Sequence, residues 1–154
     1  MNYNINAMKV ISKSYEETIA LGEKLGKLLD KGTFVTLEGD LAGGKTTFTK
    51  GIGKSLNISQ IINSPTFTIL KIYQGDLPLY HIDAYRLKEN PYDLGFDEYY
   101  DDGIMVIEWP EYYENLPKER IEINFSFIDD NTRGININAS DKYKTIVEEL
   151  EKIC

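Results

Sequence analysis

Apolar positions recur along this chain with two different periods, and the switches between them mark its elements. Val10 and Ile11 sit in a short strand-like stretch over residues 8–12. Leu21, Leu25, Leu28 and Leu29 then fall at i, i+4, i+7 and i+8, a stripe on one face of a helix. Ser14 precedes that stripe with Glu17 three residues on, the spacing of a capping box, and Lys31-Gly32 is the expected stop. Thr33-Phe34-Val35-Thr36-Leu37 is β-branched and aromatic, as strand interiors are. A second helix is expected from Lys45 to about Leu56, closed by Asn57.

Further on, residues 68–73 and 77–84 read as strands with Gln74-Gly75-Asp76 between them, a tight turn that predicts a hairpin. Asn90-Pro91 breaks the chain and suits a helix start near Tyr92. Ile104-Met105-Val106-Ile107 is an unbroken apolar run, the mark of a strand buried on both faces. Ile121, Ile123, Phe125 and Phe127 alternate with polar residues, and after a polar turn over 129–134 the alternation resumes at Ile135 and Ile137. Asp141 is placed to cap a last helix carrying Ile146, Val147, Leu150 and Ile153. Helices interleave with strands early and strand pairs dominate later. That predicts one α/β domain over residues 1–154 with a mixed sheet, parallel near its centre and antiparallel elsewhere.

Between the strand at 33–37 and the helix from Lys45 lies Gly39-Asp40-Leu41-Ala42-Gly43-Gly44-Lys45-Thr46-Thr47, an ungapped G-x-x-x-x-G-K-[ST]. Glycines let the backbone curl until several N–H groups converge on a phosphate, and the helix N-terminus adds partial positive charge there. Lys45 is then the residue for the β- and γ-phosphates, and the Thr46 hydroxyl is a ligand for Mg²⁺. A Gly-rich turn that only joins strand to helix would not need all four fixed positions. The loop is read as a nucleoside triphosphate site.

Composition narrows the class. The 154 residues are 42% hydrophobic, enough for a core, and carry a net charge of −8. Nucleic-acid binding draws on Lys and Arg neutralising phosphates, so an acidic chain is a poor autonomous RNA or DNA binder, which leaves open action on nucleic acid through a partner. Cys154 is the one cysteine, which fits a reducing compartment and excludes a cysteine metal cluster. Met1-Asn2-Tyr3-Asn4-Ile5-Asn6 has neither a basic nor an apolar leader pattern, and no apolar run approaches the ~18 residues of a membrane span. A cytoplasmic protein without a membrane segment is expected.

Hydrolysis needs a carboxylate near the metal and a group that orients water. Glu108 follows the apolar run at 104–107, where a Walker-B acid sits, and Asp83 ends another strand-like segment. Either is also the kind of residue that simply ends a strand in water. His81, the single histidine, is of a kind more often used for packing or hydrogen bonding than as a base. Trp109, the single tryptophan, is equally suited to fill a core gap or to cover a nucleotide. Residues 92–102, acidic and tyrosine-rich, read as a solvated helix face or a docking surface. An arginine finger is worth about 10³–10⁵ in rate. Of Arg86, Arg120 and Arg133, Arg86 alone lies near a candidate acid, so slow hydrolysis by the isolated chain is expected.

Four motifs occur in order: the loop at 39–47, Ser64-Pro65-Thr66-Phe67, His81-Ile82-Asp83-Ala84-Tyr85-Arg86 and Ile107-Glu108-Trp109-Pro110-Glu111. Together they resemble the bacterial TsaE (YjeE) ATPases over about residues 10–125, with Ala42-Gly43 where that family usually reads Gly-Ala. The resemblance implies a P-loop NTPase-like three-layer α/β domain with a mixed sheet. It also implies ATP and Mg²⁺ as cofactors and a role in making threonylcarbamoyladenosine in tRNA beside a TsaB–TsaD pair. Residue by residue it implies Lys45 on the phosphates, Thr46 and Glu108 on the metal, and Asp83 placing metal or water. Thr66 would lie in a switch that senses the γ-phosphate, and Trp109 would matter for activity.

Two rival readings come from other classes. A small-molecule P-loop kinase needs an acceptor pocket and usually a basic lid, and three arginines make a lid hard to find. A regulatory scaffold that binds nucleotide without useful hydrolysis would have no need of two acids at strand ends.

Overall fold

The computed structural model describes residues 6–39, 44–63, 69–88 and 100–154. Its strands are β1 (Ala7–Ser12), β2 (Phe34–Glu38), β3 (Leu70–Tyr73), β4 (Leu79–Asp83), β5 (Ile104–Glu108), β6 (Ile121–Phe127) and β7 (Arg133–Ala139). The helices are α1 (Tyr15–Gly26), α2 (Gly44–Ser55) and α3 (Lys144–Ile153). The strands form one seven-stranded sheet in the order β1-β7-β6-β2-β5-β4-β3. β6, β2, β5 and β4 run parallel, and β3 on one side and β7 and β1 on the other are antiparallel. This is the mixed α/β sheet that the hydrophobic periods predict.

One face of the sheet packs under the helices. Val35, Leu37, Ile104, Val106, Ile123 and Ile137 meet Leu21, Leu25, Phe48, Ile52, Val147 and Leu150 there. α1 and α2 touch backbone to backbone: a Cβ at Gly22 would stand 2.2 Å from the Phe48 carbonyl oxygen, and one at Gly51 2.1 Å from that of Ile19. This contact seats α2, and with it Gly44 at the end of the Gly-rich loop. On the other face Phe34, Tyr80, Ile82, Met105 and Ile107 are covered by the 3₁₀ turn Ala84–Lys88 and by Trp109, Tyr112, Tyr113 and Leu116. Among the described residues no helix is long and apolar enough to cross a membrane.

Four local expectations change. The Ser14 hydroxyl accepts the Glu17 amide at 3.0 Å as a cap should, but Glu17 returns its bond to the Lys13 amide at 3.1 Å rather than to Ser14. α1 ends at Gly26, before Lys31-Gly32, because Leu28 N bonds to the Leu25 carbonyl and tightens the last turn, while Leu29 still reaches the core. The β3–β4 connection is longer than a tight turn. It is pinned to the end of α2 by Asp76 N on the Leu56 carbonyl at 2.7 Å and by Asn57 Nδ2 on Asp76 Oδ2 at 2.7 Å. Asp141 does not cap α3; it sits in the 3₁₀ turn Asp141–Tyr143 and accepts from Asn6 Nδ2 at 3.0 Å. The helix expected near Tyr92 lies outside the described residues.

Candidate functional site

β2 delivers the chain to Gly39, which has φ 142° and whose absent Cβ would stand 2.7 Å from the Phe125 carbonyl oxygen. Both facts demand glycine at the first fixed position of the loop. Asp40, Leu41, Ala42 and Gly43 lie outside the described residues, and so does the switch-like segment with Thr66. α2 opens at Gly44, with Lys45 buried and Thr46 half-buried in its first turn. Lys45 Nζ donates to the Gly39 carbonyl oxygen at 2.7 Å and stands 4.0 Å from the centroid of the Trp109 ring. The amine therefore reaches back to Gly39 and is held by that carbonyl and by an aromatic face.

The two candidate acids are brought together by strand order. Asp83 and Glu108 are register partners at the ends of parallel β4 and β5. Alternation puts Leu79, Ile104 and Val106 under the helices, so His81, Asp83 and Glu108 share the face that carries α2. Glu108 is only 4% exposed, which removes the reading of an ordinary strand-end acid in water. Its Oε2 stands 2.6 Å from Nε2 of His81, which is fully buried. Asp83 is half-buried and accepts the Tyr85 amide at 3.0 Å. Burial raises its carboxyl above the usual range and the Glu108 charge adds to that, against the lowering effects of the Tyr85 amide, His81 and Lys45.

Trp109 neither fills a core gap alone nor stands free. It adopts φ 59° and ψ 53°, a left-handed conformation that costs a non-glycine residue about 1–3 kcal/mol. Its ring lies 5.2 Å from that of Tyr85 and 6.4 Å from that of Tyr112, and the two tyrosines are 5.8 Å apart. Neither tyrosine stands out in the sequence, because their meeting depends on two 3₁₀ turns from distant segments. A further acid, Glu38, ends β2 directly before Gly39. Its carboxyl is raised by burial and by the charges of Glu111 and Glu122, against Arg120.

Of the arginines, Arg120 is bound to Glu122 at 3.0 Å and to the Pro117 carbonyl at 2.7 Å. Arg133 Nη1 donates to the carbonyls of Asp129, Asp130 and Thr132. Both are tied to their own loops; the Arg86 side chain lies outside the described groups. A cavity of about 290 Å³ opens beside the start of α2, lined by Tyr15, Thr18, Gly44, Thr47, Asn131 and Arg133.

Among the described residues no group of three or more His, Cys, Asp or Glu side chains could hold a metal by itself. Mg²⁺ does not require one, since it is commonly held by one or two carboxylates together with substrate phosphates. Hard-oxygen donors at Thr46 and Glu108, with Asp83 in register beside Glu108, are of the type that suits such a cation.

The family described as Threonylcarbamoyl adenosine biosynthesis protein TsaE matches residues 12–135. That span includes every candidate site residue named above. A Bacillus subtilis (strain 168) protein named tRNA threonylcarbamoyladenosine biosynthesis protein TsaE is 45% identical over 141 residues, 89% of each chain. Its namesake from Treponema pallidum (strain Nichols) is 42% identical over 134 residues, covering 84% of this chain and 99% of that one. The crystal structure of YdiB from Bacillus subtilis superposes with a TM-score of 0.81 at 38% identity, covering 95% of both chains.

Proposed function

The chain belongs to the TsaE family, and from that premise we propose that it is an ATPase of tRNA threonylcarbamoyladenosine biosynthesis that drives or resets a TsaB–TsaD-like partner complex. The observation that carries this reading is one constellation. The buried Lys45 amine bridges Gly39 and Trp109 at the start of α2, and its charge reaches Asp83, the strand partner of buried Glu108.

Each group has a task in that reaction. Loop amides and Lys45 bind and orient the β- and γ-phosphates, and the cavity beside Gly44 and Thr47 gives room for the nucleoside end. Thr46 and Glu108 would hold Mg²⁺, which supplies neutralisation of phosphate charge when bound. Asp83 accepts a hydrogen bond from the attacking water and fixes its line of approach. Trp109, with Tyr85 and Tyr112 behind it, keeps bulk water from the lysine side of the site.

Among the described arginine side chains, Arg120 and Arg133 are tied to their own surroundings, which supports slow turnover by the chain alone. In this reading the TsaD-like partner performs threonylcarbamoyl transfer, and a net charge of −8 leaves tRNA contact to the partners. The test is ATP hydrolysis by the chain alone and with the partner pair, alongside formation of the modified nucleoside. Faster hydrolysis with the pair, and partner affinity that differs between ATP and ADP forms, are expected. Thr66→Ala should blunt that difference while leaving ATP binding intact. Phosphate transfer to a small metabolite, or a partner pair that changes neither rate nor affinity, would overturn the reading.

A further inference from the structure

One polar side chain in the core of the site has no task in the reaction just described. His81 is fully buried on β4, with apolar Leu79, Ile104 and Val106 on the same face and Lys71 of β3 as its other register partner. A residue needed only for packing there would be apolar too, because an imidazole without partners is costly to bury. The β4–β5 register explains its one polar contact. His81 lies opposite Val106 and Asp83 opposite Glu108, so the imidazole stands one step below the two acids and meets Glu108 Oε2 at 2.6 Å.

The other ring nitrogen decides which group donates. Nδ1 is buried and has no hydrogen-bond partner among the described residues. If the carboxyl donated to Nε2, Nδ1 would carry an N–H with no acceptor. If Nε2–H donates, Nδ1 is a bare acceptor, and orphaned buried N–H groups are the rarer of the two. The bond therefore runs from Nε2–H to Oε2.

We propose that His81 is a positioning residue, whose Nε2–H holds Oε2 of Glu108 and fixes the carboxylate in one rotamer with its second oxygen left for the ligand. The inference rests on the reading of Glu108 as an acid of the ATP site. It predicts a division of labour in which nucleotide affinity belongs to the loop and Lys45, while His81 acts only through Glu108. Outer partners of a metal-site ligand typically carry about 10–100-fold of activity or metal affinity.

Two variants and one spectrum test it. His81→Leu keeps an apolar filling but removes the donor, and His81→Gln can place an amide N–H near the position of Nε2. His81→Leu should lower kcat in the presence of the partner pair by about 10–100-fold and weaken Mn²⁺ binding to the ADP complex, read by electron paramagnetic resonance, with KM for ATP nearly unchanged. His81→Gln should recover most of both. Because His81 is the only histidine in the chain, a long-range ¹H–¹⁵N spectrum of the wild-type protein reads its tautomer directly, even if the leucine variant fails to fold. The Nε2–H form is expected, and Glu108→Gln should shift its resonances. An Nδ1–H tautomer, or a folded His81→Leu protein with wild-type kcat and Mn²⁺ affinity, overturns the role of His81 and leaves the ATPase reading standing. A wild-type protein that neither binds nor hydrolyses ATP overturns instead the reading on which it rests.

Discussion

The parallel centre of the sheet is built from strands buried along almost their whole length and its antiparallel flank from alternating ones, and the candidate site gathers at the centre. β2, β5 and β4 point the same way, so their carboxyl ends reach one edge together, and each ends in an acid: Glu38, Glu108 and Asp83. Helices cover one face there and the aromatic turns the other, so Glu108 is driven into the interior. In the flank β6, β7 and β1 alternate in direction and their ends fall on opposite edges. Its second face stays open, with half-exposed Asn124 opposite Asn136, Glu122 opposite Asn138, and Lys9 of β1 opposite Asn136. Parallel strands concentrate distant residues at one edge, which is why ligands of open α/β sheets sit at their carboxyl ends. Antiparallel strands disperse theirs.

Substitutions at the carboxyl edge should therefore remove function, and the largest effect belongs to Lys45→Ala. Loss of a charged hydrogen-bond donor to phosphate, worth about 1.5–3 kcal/mol per bond, should weaken ATP binding by on the order of 100-fold in calorimetric titration. Wild-type affinity would show that the lysine over Trp109 is not the phosphate lysine. Glu108→Gln and Asp83→Asn should depress kcat by about 10²–10⁴-fold while sparing affinity, as groups acting in the transition state do. Normal hydrolysis by both would return these acids to the status of strand ends.

In the flank the currency is stability. Ile137→Ala, at a fully buried position, should cost about 2–5 kcal/mol in denaturant unfolding and leave kcat alone. A kcat loss larger than the unfolded fraction explains would break the contrast.

A smaller effect separates function from stability at one residue. The raised carboxyl of Asp83 means that the fold disfavours its ionised form in the absence of ligand. Its contribution to stability is fully present below the ordinary aspartate range and is lost as pH rises through its folded value. Asp83→Asn should therefore raise Tm slightly at neutral pH, and the gain should vanish in acid. A lower Tm at neutral pH would contradict the burial argument. Smallest of all, Asn136→Thr on the open face should change stability by less than about 0.5 kcal/mol and turnover not at all.

Much of this was legible in the chain. Among the described residues the seven strands, α1 and α3 follow from local patterns, α2 from its place after the loop motif, the Ser14–Glu17 cap from a spacing of three, and the family from motifs contiguous in sequence. The misjudged details were decided by distant packing. The β3–β4 connection was lengthened by the end of α2, and the last helix began past Asp141 where Asn6 engages it. His81 was recognisable only as a packing or hydrogen-bonding residue; which group it met lay 27 positions away. The lysine–tryptophan contact and the Tyr85–Tyr112 cluster behind it were likewise beyond the sequence. Periodicity reports which face a residue turns, because the helix and strand repeats are short and local. Which strand lies beside which is a property of the whole sheet, and β5 between β2 and β4 is the placement that makes Glu108 a neighbour of both the strand that enters the Gly-rich loop and Asp83.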